Sequence, residues 1–552
     1  MSFIDDIFAD LTAAADQRVL GEIRDGSISG ISGNELLAMV SKARSFLGSR
    51  NFKKGDRCGL LAANSVRWVA FDLAALAEGL VVVPLYSRQA ASELAAMVRD
   101  SQPSLIACGE GELRDAIAKE SPGCPLFLFD EIFADFEGTR RPGRPHVEDQ
   151  DAVTIIYTSG TSGESKGVVL NAANVGFMLE RTTERLTQLM AGAEGAPRAD
   201  RIFHYLPMTF AASWIAVLTF LKRRSEVVFN TDLSKIAGDM RTVAPDYFLN
   251  VPQLLERMRR AVDEQLWQTG GIALAIYTRA KAAGARQHDG QPRGADGLWL
   301  WLANKLVFPT IRNKMIGPNL RALICGSAPL SPDTQLYFQM LGIQVLQVYG
   351  LTETTAICTM DEPGHAELGC VGPAVSGVEM RVGDGDEIVV RGPNIFPGYW
   401  NRAEETARVL RDGWFHTGDQ GEISAAGNWR IAGRIKNLLV LGSGHKLSPE
   451  PIEEVIQKAV AAAQQVVIVG NGQGYLSAIV TGSVTRDQVQ AALDGINASL
   501  PHYKQVRAFV VRELPFSVDE GTLTVNGKLR RDAVVALMRN EIDNMYKVRQ
   551  AS

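Results

Sequence analysis

Between residues 52 and 130, short apolar runs alternate with helical patterns, and this rhythm narrows the fold more than any other feature of the chain. CGLLAAN reads as a strand, SVRWVAFDLAALAEG as a helix, LVVVPLY as a strand, ASELAAMVRDS as a helix and SLIACG as a strand. Apolar strands separated by helices are βαβ units, and such units build a largely parallel sheet. The rhythm returns in RIFHYLP, EVVFN and DYFLNVP, and again in NLRALICGSAP, a helix from Ser331, and QVLQVYG. From Gly369 to Trp429 the turns come quickly and the runs are short, which predicts small β-structure. After GRIKN (433–437) a compact α+β segment runs to about Met538.

A chain of 552 residues exceeds what one core needs. The expected class is α/β. A large N-terminal domain (1–435) combines parallel and mixed sheets with helices and carries a small β-subdomain. A small α+β C-terminal domain (436–552) follows, with the boundary at Lys436. Residues 263–310 stand apart as two helical patterns joined by a polar, Gly-rich loop. They read as helical packing with an exposed loop, the alternative being a lid or a membrane-touching surface.

Composition excludes several classes. The net charge of −5 and the lack of a basic stripe give no footprint for nucleic acid. Cys58, Cys108, Cys124, Cys325, Cys358 and Cys370 form no CxxC pair and no zinc spacing, which suits a reduced intracellular protein. The acidic, amphipathic N-terminus lacks the basic start and apolar run of a signal peptide. No stretch reaches the roughly 18 apolar residues of a membrane span.

The most informative stretch is IIYTSGTSGESKGVV (155–169). An apolar strand ends at Tyr157, small and hydroxyl-bearing residues follow, and Lys166-Gly167 leads into another apolar run. Small residues let backbone N–H groups approach phosphate oxygens, hydroxyls add donors, and Lys166 adds charge. It is not a Walker A loop, because Ser165 rather than Gly precedes the lysine and Gly167 follows it.

With this loop the sequence resembles the adenylate-forming superfamily of acyl-CoA synthetases, adenylation domains and luciferases. TSGTSGESKG departs from that superfamily's usual TSGTTGxPKG at Ser162 and Ser165. YGLTETT (349–355), WFHTGDQGEI (414–423), GRIKNLLVLGSGHKLSPEPIEEVI (433–456) and TVNGKLRR (524–531) resemble its further motifs, in order, over roughly residues 30–540. The resemblance implies ATP, Mg2+ and CoA as cofactor and co-substrates. Thr158, Ser159, Gly160, Thr161, Ser162, Gly163 and Lys166 would cradle the phosphates. Glu353, helped by Thr158, would hold Mg2+, and Thr352 would approach the α-phosphate. Tyr349 would lie against the adenine, the backbone of Gly326, Ser327 and Ala328 would line its edge, and Gly350 and Leu351 would belong to the same ATP/AMP site. Asp419 would take both ribose hydroxyls, with Arg434 beside it. Lys528 would bridge the acid and the α-phosphate. The C-terminal domain would be mobile, turning about Lys436 to bring Ser443, Gly444 and His445 to CoA. Plain structural readings stand beside these: a helix-start carboxylate for Glu353, a turn aspartate for Asp419, a surface ion pair for Arg434.

The acid is read from LPMTFAASW (206–214). Phe210-Ala211 lacks the Asp that amino-acid-activating relatives place after the Phe. Phe210 and Trp214 are the acyl-pocket candidates, Trp214 as a gate or as a core residue. VPQLLERM (251–258) and residues 326–354 look closest to the long-chain branch. The expected activity is an AMP-forming long-chain-fatty-acid–CoA ligase. The alternatives are a fatty acyl-AMP or acyl-carrier-protein ligase, or a CoA ligase for an aryl or short-chain acid. Expected partners are fatty acid, ATP and CoA, in the cytoplasm. A homodimer and peripheral contact with the inner membrane face stay open. NAAN (171–174) lacks a His common in the family, with no stated effect.

Overall fold

The computed structural model describes residues 2–50, 52–120, 123–135, 145–159, 165–191, 198–460, 462–523 and 529–547. Three sheets build the first part of the chain. The first has seven strands among the described residues, in the order Gly398–Tyr399, Ser165–Asn171, Ala152–Ser159, Val81–Leu85, Arg57–Leu61, Leu105–Cys108 and Leu126–Leu128. From Ala152–Ser159 onward its neighbours run parallel. The strand Leu105–Cys108 is buried along its whole length, as a strand covered by helices on both faces must be.

The second sheet has eight strands among the described residues: Thr359–Met360, Gln344–Tyr349, Ala322–Cys325, Tyr247–Asn250, Arg201–His204, Glu226–Phe229, Arg18–Arg24 and Ser27–Ser32. The last two form an antiparallel hairpin that adds beside Glu226–Phe229, an edge that the sequence reading did not anticipate. A third, antiparallel sheet lies within residues 379–434. Helices packed on the first two sheets join them into one apolar core.

Local signals place the helices. Ser65 accepts the N–H of Trp68 at the start of the helix Val66–Ala77. Ser331 caps the helix Pro332–Met340, whose first residue is proline. Asn171 and Asn174 cap each other's backbone at the start of Ala172–Met190. The amide of Asn174 also donates to the carbonyls of Pro393 and Ile395 at 2.8 and 2.9 Å, so NAAN fastens a helix start to the loop before Phe396.

The strand expected to end at Tyr157 continues to Ser159 and pairs antiparallel with Ser165–Asn171, Thr158 facing Lys166. The β-branched and hydroxyl-bearing Thr158 and Ser159 suit extended backbone. Gly160, Thr161, Ser162 and Gly163 lie outside the described residues.

Beyond Arg434, the strands Gln465–Val469, Leu476–Thr481 and Val506–Arg512 form a three-stranded mixed sheet. With the helices Glu450–Ala459 and Arg486–Ser499 they enclose a separate apolar core. Lys528 lies in 524–528, outside the described residues, between Leu523 and Leu529, which form an antiparallel bridge. The six cysteines are unpaired. Among the described residues, no helix is long and apolar enough to cross a membrane.

Candidate nucleotide site

Asp419 lies in the strand Trp414–Ile423 and is 4% exposed. Directly across the ladder is Arg434, whose Nε lies 2.9 Å from Oδ1. Tyr349, at the end of its strand, donates its phenol to Oδ2 at 2.8 Å. Burial, and then the Asp419 charge, push the Tyr349 phenol well above its usual range, so it stays a donor.

The chain turns sharply after Tyr349. A Cβ on Gly350 would collide with the carbonyl of Ala356, so only glycine fits this approach. Thr355 and Ala356 hold positive φ, at 51° and 86°. Non-glycine residues seldom do so, at a cost on the order of 1–3 kcal/mol each. A Cβ on Gly326 would lie 2.6 Å from the Val348 side chain. Gly326, Ser327 and Ala328 therefore run beside the end of the Tyr349 strand.

Glu353 lies in the short 3-10 turn Thr352–Thr354, which packs against the strand Ser165–Asn171. It does not begin a longer helix, which removes that alternative reading. Tyr399 donates to its Oε1 at 2.8 Å, and Phe396 N–H donates to its carbonyl at 2.9 Å. Burial, then Glu353, raise the Tyr399 phenol. The Lys166 ammonium sits 5.5 Å from the Tyr399 ring centroid and pairs with Glu405. The loop 349–355 thus reaches Asp419 at one end and, through Tyr399, Lys166 at the other. Sequence reasoning missed Tyr399 and Glu405. Neither belongs to a charged or Gly-rich motif, and the signal available was the aromatic pair in FPGYW just past a turn.

Among the described residues, no group of three or more His, Cys, Asp or Glu could hold a metal. Magnesium needs fewer, taking one or two carboxylates together with phosphates and water. Tyr399 occupies only Oε1 of Glu353. A hard oxygen, Oε2, remains, and Thr158 lies on the adjoining hairpin. These groups fit Mg2+.

Lys436 occupies the turn Ile435–Asn437, beyond Arg434. Burial, then the neighbouring Arg434 charge, lower its ammonium to about 8, against the opposing pull of Asp419 and Asp532. Asn437 donates to Glu450 at 2.7 Å, and Arg531 pairs with Glu453 through Nη1 at 2.7 Å. Ser443, Gly444 and His445 form an exposed tight turn, with Gly444 at φ +85°. The Ser443 hydroxyl lies 2.9 Å from His445 Nδ1, and the His445 ring stacks on Tyr503 at 4.3 Å. These are contacts within the C-terminal part.

At LPMTFAASW, the Phe210 ring lies 6.3 Å from that of Tyr86. Trp214 is 2% exposed and donates its indole N–H to Asp72 at 2.9 Å. The structure places it in the core. Burial pushes the Asp72 carboxyl up to about 7, and its Oδ1 has no partner.

A protein-family model described as AMP-binding enzyme matches residues 11–400. The chain belongs to the AMP-binding enzyme family. A second model, the AMP-binding enzyme C-terminal domain, matches residues 436–550. This AMP-binding enzyme is 24% identical to the long-chain-fatty-acid–CoA ligase FadD15 of Mycobacterium bovis, over 95% of the chain and 93% of the relative. It is 26% identical to long chain acyl-CoA synthetase 3 of Arabidopsis thaliana, over 90% and 83%. It is 28% identical to long-chain-fatty-acid–CoA ligase 1 of Cavia porcellus, over 91% and 80%. Among solved structures, ATP-bound MatB from Rhodopseudomonas palustris superposes with a TM-score of 0.75 at 24% identity, covering 98% of this chain and 99% of that one. The AMP complex of o-succinylbenzoate coenzyme A synthetase from Bacillus subtilis gives 0.73 at 19%, covering 96% and 97%. At these identities the structures establish the adenylate-forming fold.

Proposed function

We propose that this AMP-binding enzyme is an AMP-forming fatty acyl-CoA synthetase acting on medium- or long-chain acids. The carboxylate oxygen attacks the α-phosphorus of ATP, and the bond to the leaving pyrophosphate breaks. The CoA thiolate then attacks the acyl carbonyl of the acyl-AMP, and AMP leaves. A bare carboxylate resists nucleophiles, and the mixed anhydride removes that resistance.

The observation that carries the reading is the loop 349–355, which links the Asp419–Tyr349 pair to the Glu353–Tyr399–Lys166 group. A sugar-binding carboxylate at one end and a phosphate-binding cation at the other suit a nucleotide laid along the loop. Residues 1–435 would hold ATP and the acid. Residues 436–552 would carry Lys528 and turn about Lys436, presenting Ser443, Gly444 and His445 to CoA. Mg2+ on Glu353 and Thr158 would neutralise phosphate charge. Phe210 would line the acyl site beside Tyr86. ATP and CoA as substrates suit the cytoplasm.

Support for a fatty acid comes from the long-chain ligases among the relatives. A second reading, a ligase for an aryl acid, rests on the o-succinylbenzoate and anthranilate CoA ligases among the fold neighbours. The test offers purified protein ATP, Mg2+, CoA and acids from acetate to oleate, with benzoate and o-succinylbenzoate included, and identifies products by mass spectrometry. Medium- or long-chain acyl-CoA is the expected product. Acyl-AMP that accumulates with CoA present would favour a carrier-protein acceptor. Thioester from aryl acids alone would transfer the reading to them.

A further inference from the structure

We propose that Arg402 is a positioning residue for the phosphate step: it takes over the Glu405 carboxylate when the Lys166 ammonium turns to the phosphates of ATP. The inference rests on the nucleotide reading of the hairpin and adds to it a way of freeing the cation. Glu405 stands between two positive charges. Its Oε2 pairs with Lys166, and its Oε1 lies 3.9 Å from Arg402 Nε. Arg402 directly precedes the helix Ala403–Val409, and Glu405 lies in the first turn of that helix. A spacing of three residues brings both side chains to one side of the turn. All three side chains are about a quarter exposed, so their charges are screened less than on an open surface.

The two cations are held differently. Arg402 Nη1 lies 3.4 Å from Asp100 Oδ1, and the Tyr157 phenol donates to Asp100 Oδ2 at 2.6 Å. The Trp400 indole N–H donates to the Asp100 carbonyl at 3.1 Å, and the Trp400 backbone N–H donates to the Gly167 carbonyl at 2.7 Å. Gly398 and Tyr399 pair with Val169 and Val168. Residues 398–402 are thereby tied both to the hairpin strand and to Asp100. From that anchored position the guanidinium presents several N–H donors, enough to face Asp100 and Glu405 together. Lys166 instead reaches Glu405 from the hairpin on a flexible stem that carries a compact charge.

Asp100, Arg402, Glu405 and Lys166 thus form a row of alternating charges that ends at the phosphate hairpin. Arriving phosphate draws the flexible cation at the end of the row. A Glu405 carboxylate left bare there would repel the phosphates, because like charges in a partly buried site are weakly screened. Turned onto Arg402, the same carboxylate stays neutralised, and Lys166 is released at little electrostatic cost. If the Lys166–Glu405 pair merely fastened the helix Ala403–Val409 to the hairpin, it would need nothing from Arg402, so the two accounts differ in how residues 402 and 405 are coupled.

The test is calorimetric binding of ATP with Mg2+, in the absence of acid and CoA, so the identity of the acid does not enter. It compares the full chain with Arg402→Gln, Arg402→Lys, Glu405→Gln and Arg402→Gln/Glu405→Gln. Arg402→Gln is expected to raise the Kd for ATP by about three- to tenfold, because Glu405 then keeps Lys166. In the Glu405→Gln background the same substitution is expected to change the Kd by less than about twofold, since no carboxylate is left to hand over. Arg402→Lys keeps a cation for Glu405 and is expected to raise the Kd by no more than about twofold. Adenosine, which carries no phosphate, is expected to bind all five proteins alike. An equal rise in both backgrounds, no rise in either, an Arg402→Lys as impaired as Arg402→Gln, or a matching loss for adenosine would each overturn the proposal while leaving the nucleotide reading in place. Absence of ATP binding by the unaltered chain would overturn the nucleotide reading, and this inference with it.

Discussion

Tyr399 donates its phenol proton to Oε1 of Glu353 at 2.8 Å, which leaves Oε2 as the oxygen this bond does not engage. Tyr399→Phe keeps the ring under Lys166 and removes the bond. The expected result is a several-fold rise in the Mg2+ concentration for half-maximal rate, with kcat down about tenfold and stability down by about 1 kcal/mol. A Mg2+ titration at fixed ATP checks it. An unchanged Mg2+ requirement would separate Tyr399 from metal binding.

Lys166 pairs with Glu405, each side chain about a quarter exposed, although the phosphate reading needs the same ammonium. On that reading Glu405 competes with the nucleotide for it. Glu405→Gln is expected to lower the KM for ATP by about three- to tenfold without changing the KM for the acid, as weakly screened charge pairs allow. Lys166→Ala is expected to raise the KM for ATP in either background. Steady-state kinetics on the four proteins settles it, and an unaltered KM in Glu405→Gln would show the pair to be idle.

Asp419 is buried between Tyr349 and Arg434. Asp419→Asn preserves size but removes the charge facing the guanidinium and one acceptor oxygen. AMP binding, measured by calorimetry, is expected to weaken by about 1.5–3 kcal/mol, the range for a hydrogen bond to a charged group. The KM for the acid should hold steady, and a matching loss for both substrates would indicate general distortion instead.

Asp72 gives a pH prediction with a definite sign. Its folded carboxyl is raised to about 7, above about 3.9 for an unfolded aspartate. Between these values the native state binds more protons than the unfolded one, so stability falls as pH rises from about 4 to about 7 and then levels. Asp72→Asn keeps an acceptor for the Trp214 indole and does not titrate. The difference in stability between Asp72→Asn and the unaltered chain should grow across that window in favour of the variant, up to about 4 kcal/mol. Denaturant midpoints at about pH 4, 5.5 and 7.5 test it, and a pH-independent difference would mean Asp72 is ionised throughout.

The βαβ rhythm was legible because strands such as Leu105–Cys108 are buried on both faces and read as unbroken apolar runs. Their helices carry cap residues at sequence-visible positions, Ser65 and Ser331 among them. The hairpin Arg18–Arg24 and Ser27–Ser32 was missed although Asp25-Gly26 supplied its turn, with both residues at positive φ. Its polar second strand lacks the apolar alternation that marks a half-buried edge. In the candidate site, Asp419, Glu353 and Arg434 were found because they sit inside ordered motifs. Tyr399 and Asp72 were not, since their meanings come from partners 46 and 142 residues away. Trp214 shows the converse: its position was identified, but whether it gates or packs depended on which helix Asp72 would occupy.

Asp419 and Arg434 also mark the last rung where the strands Trp414–Ile423 and Trp429–Arg434 are joined. If the part after that rung swings at Lys436, the rung sits at the fulcrum, where displacement is smallest, while the turn 443–446 rides at the end of an arm. Such a swing would leave a nucleotide held at Asp419 nearly still, and a high-energy intermediate would wait in place while the machinery around it changes.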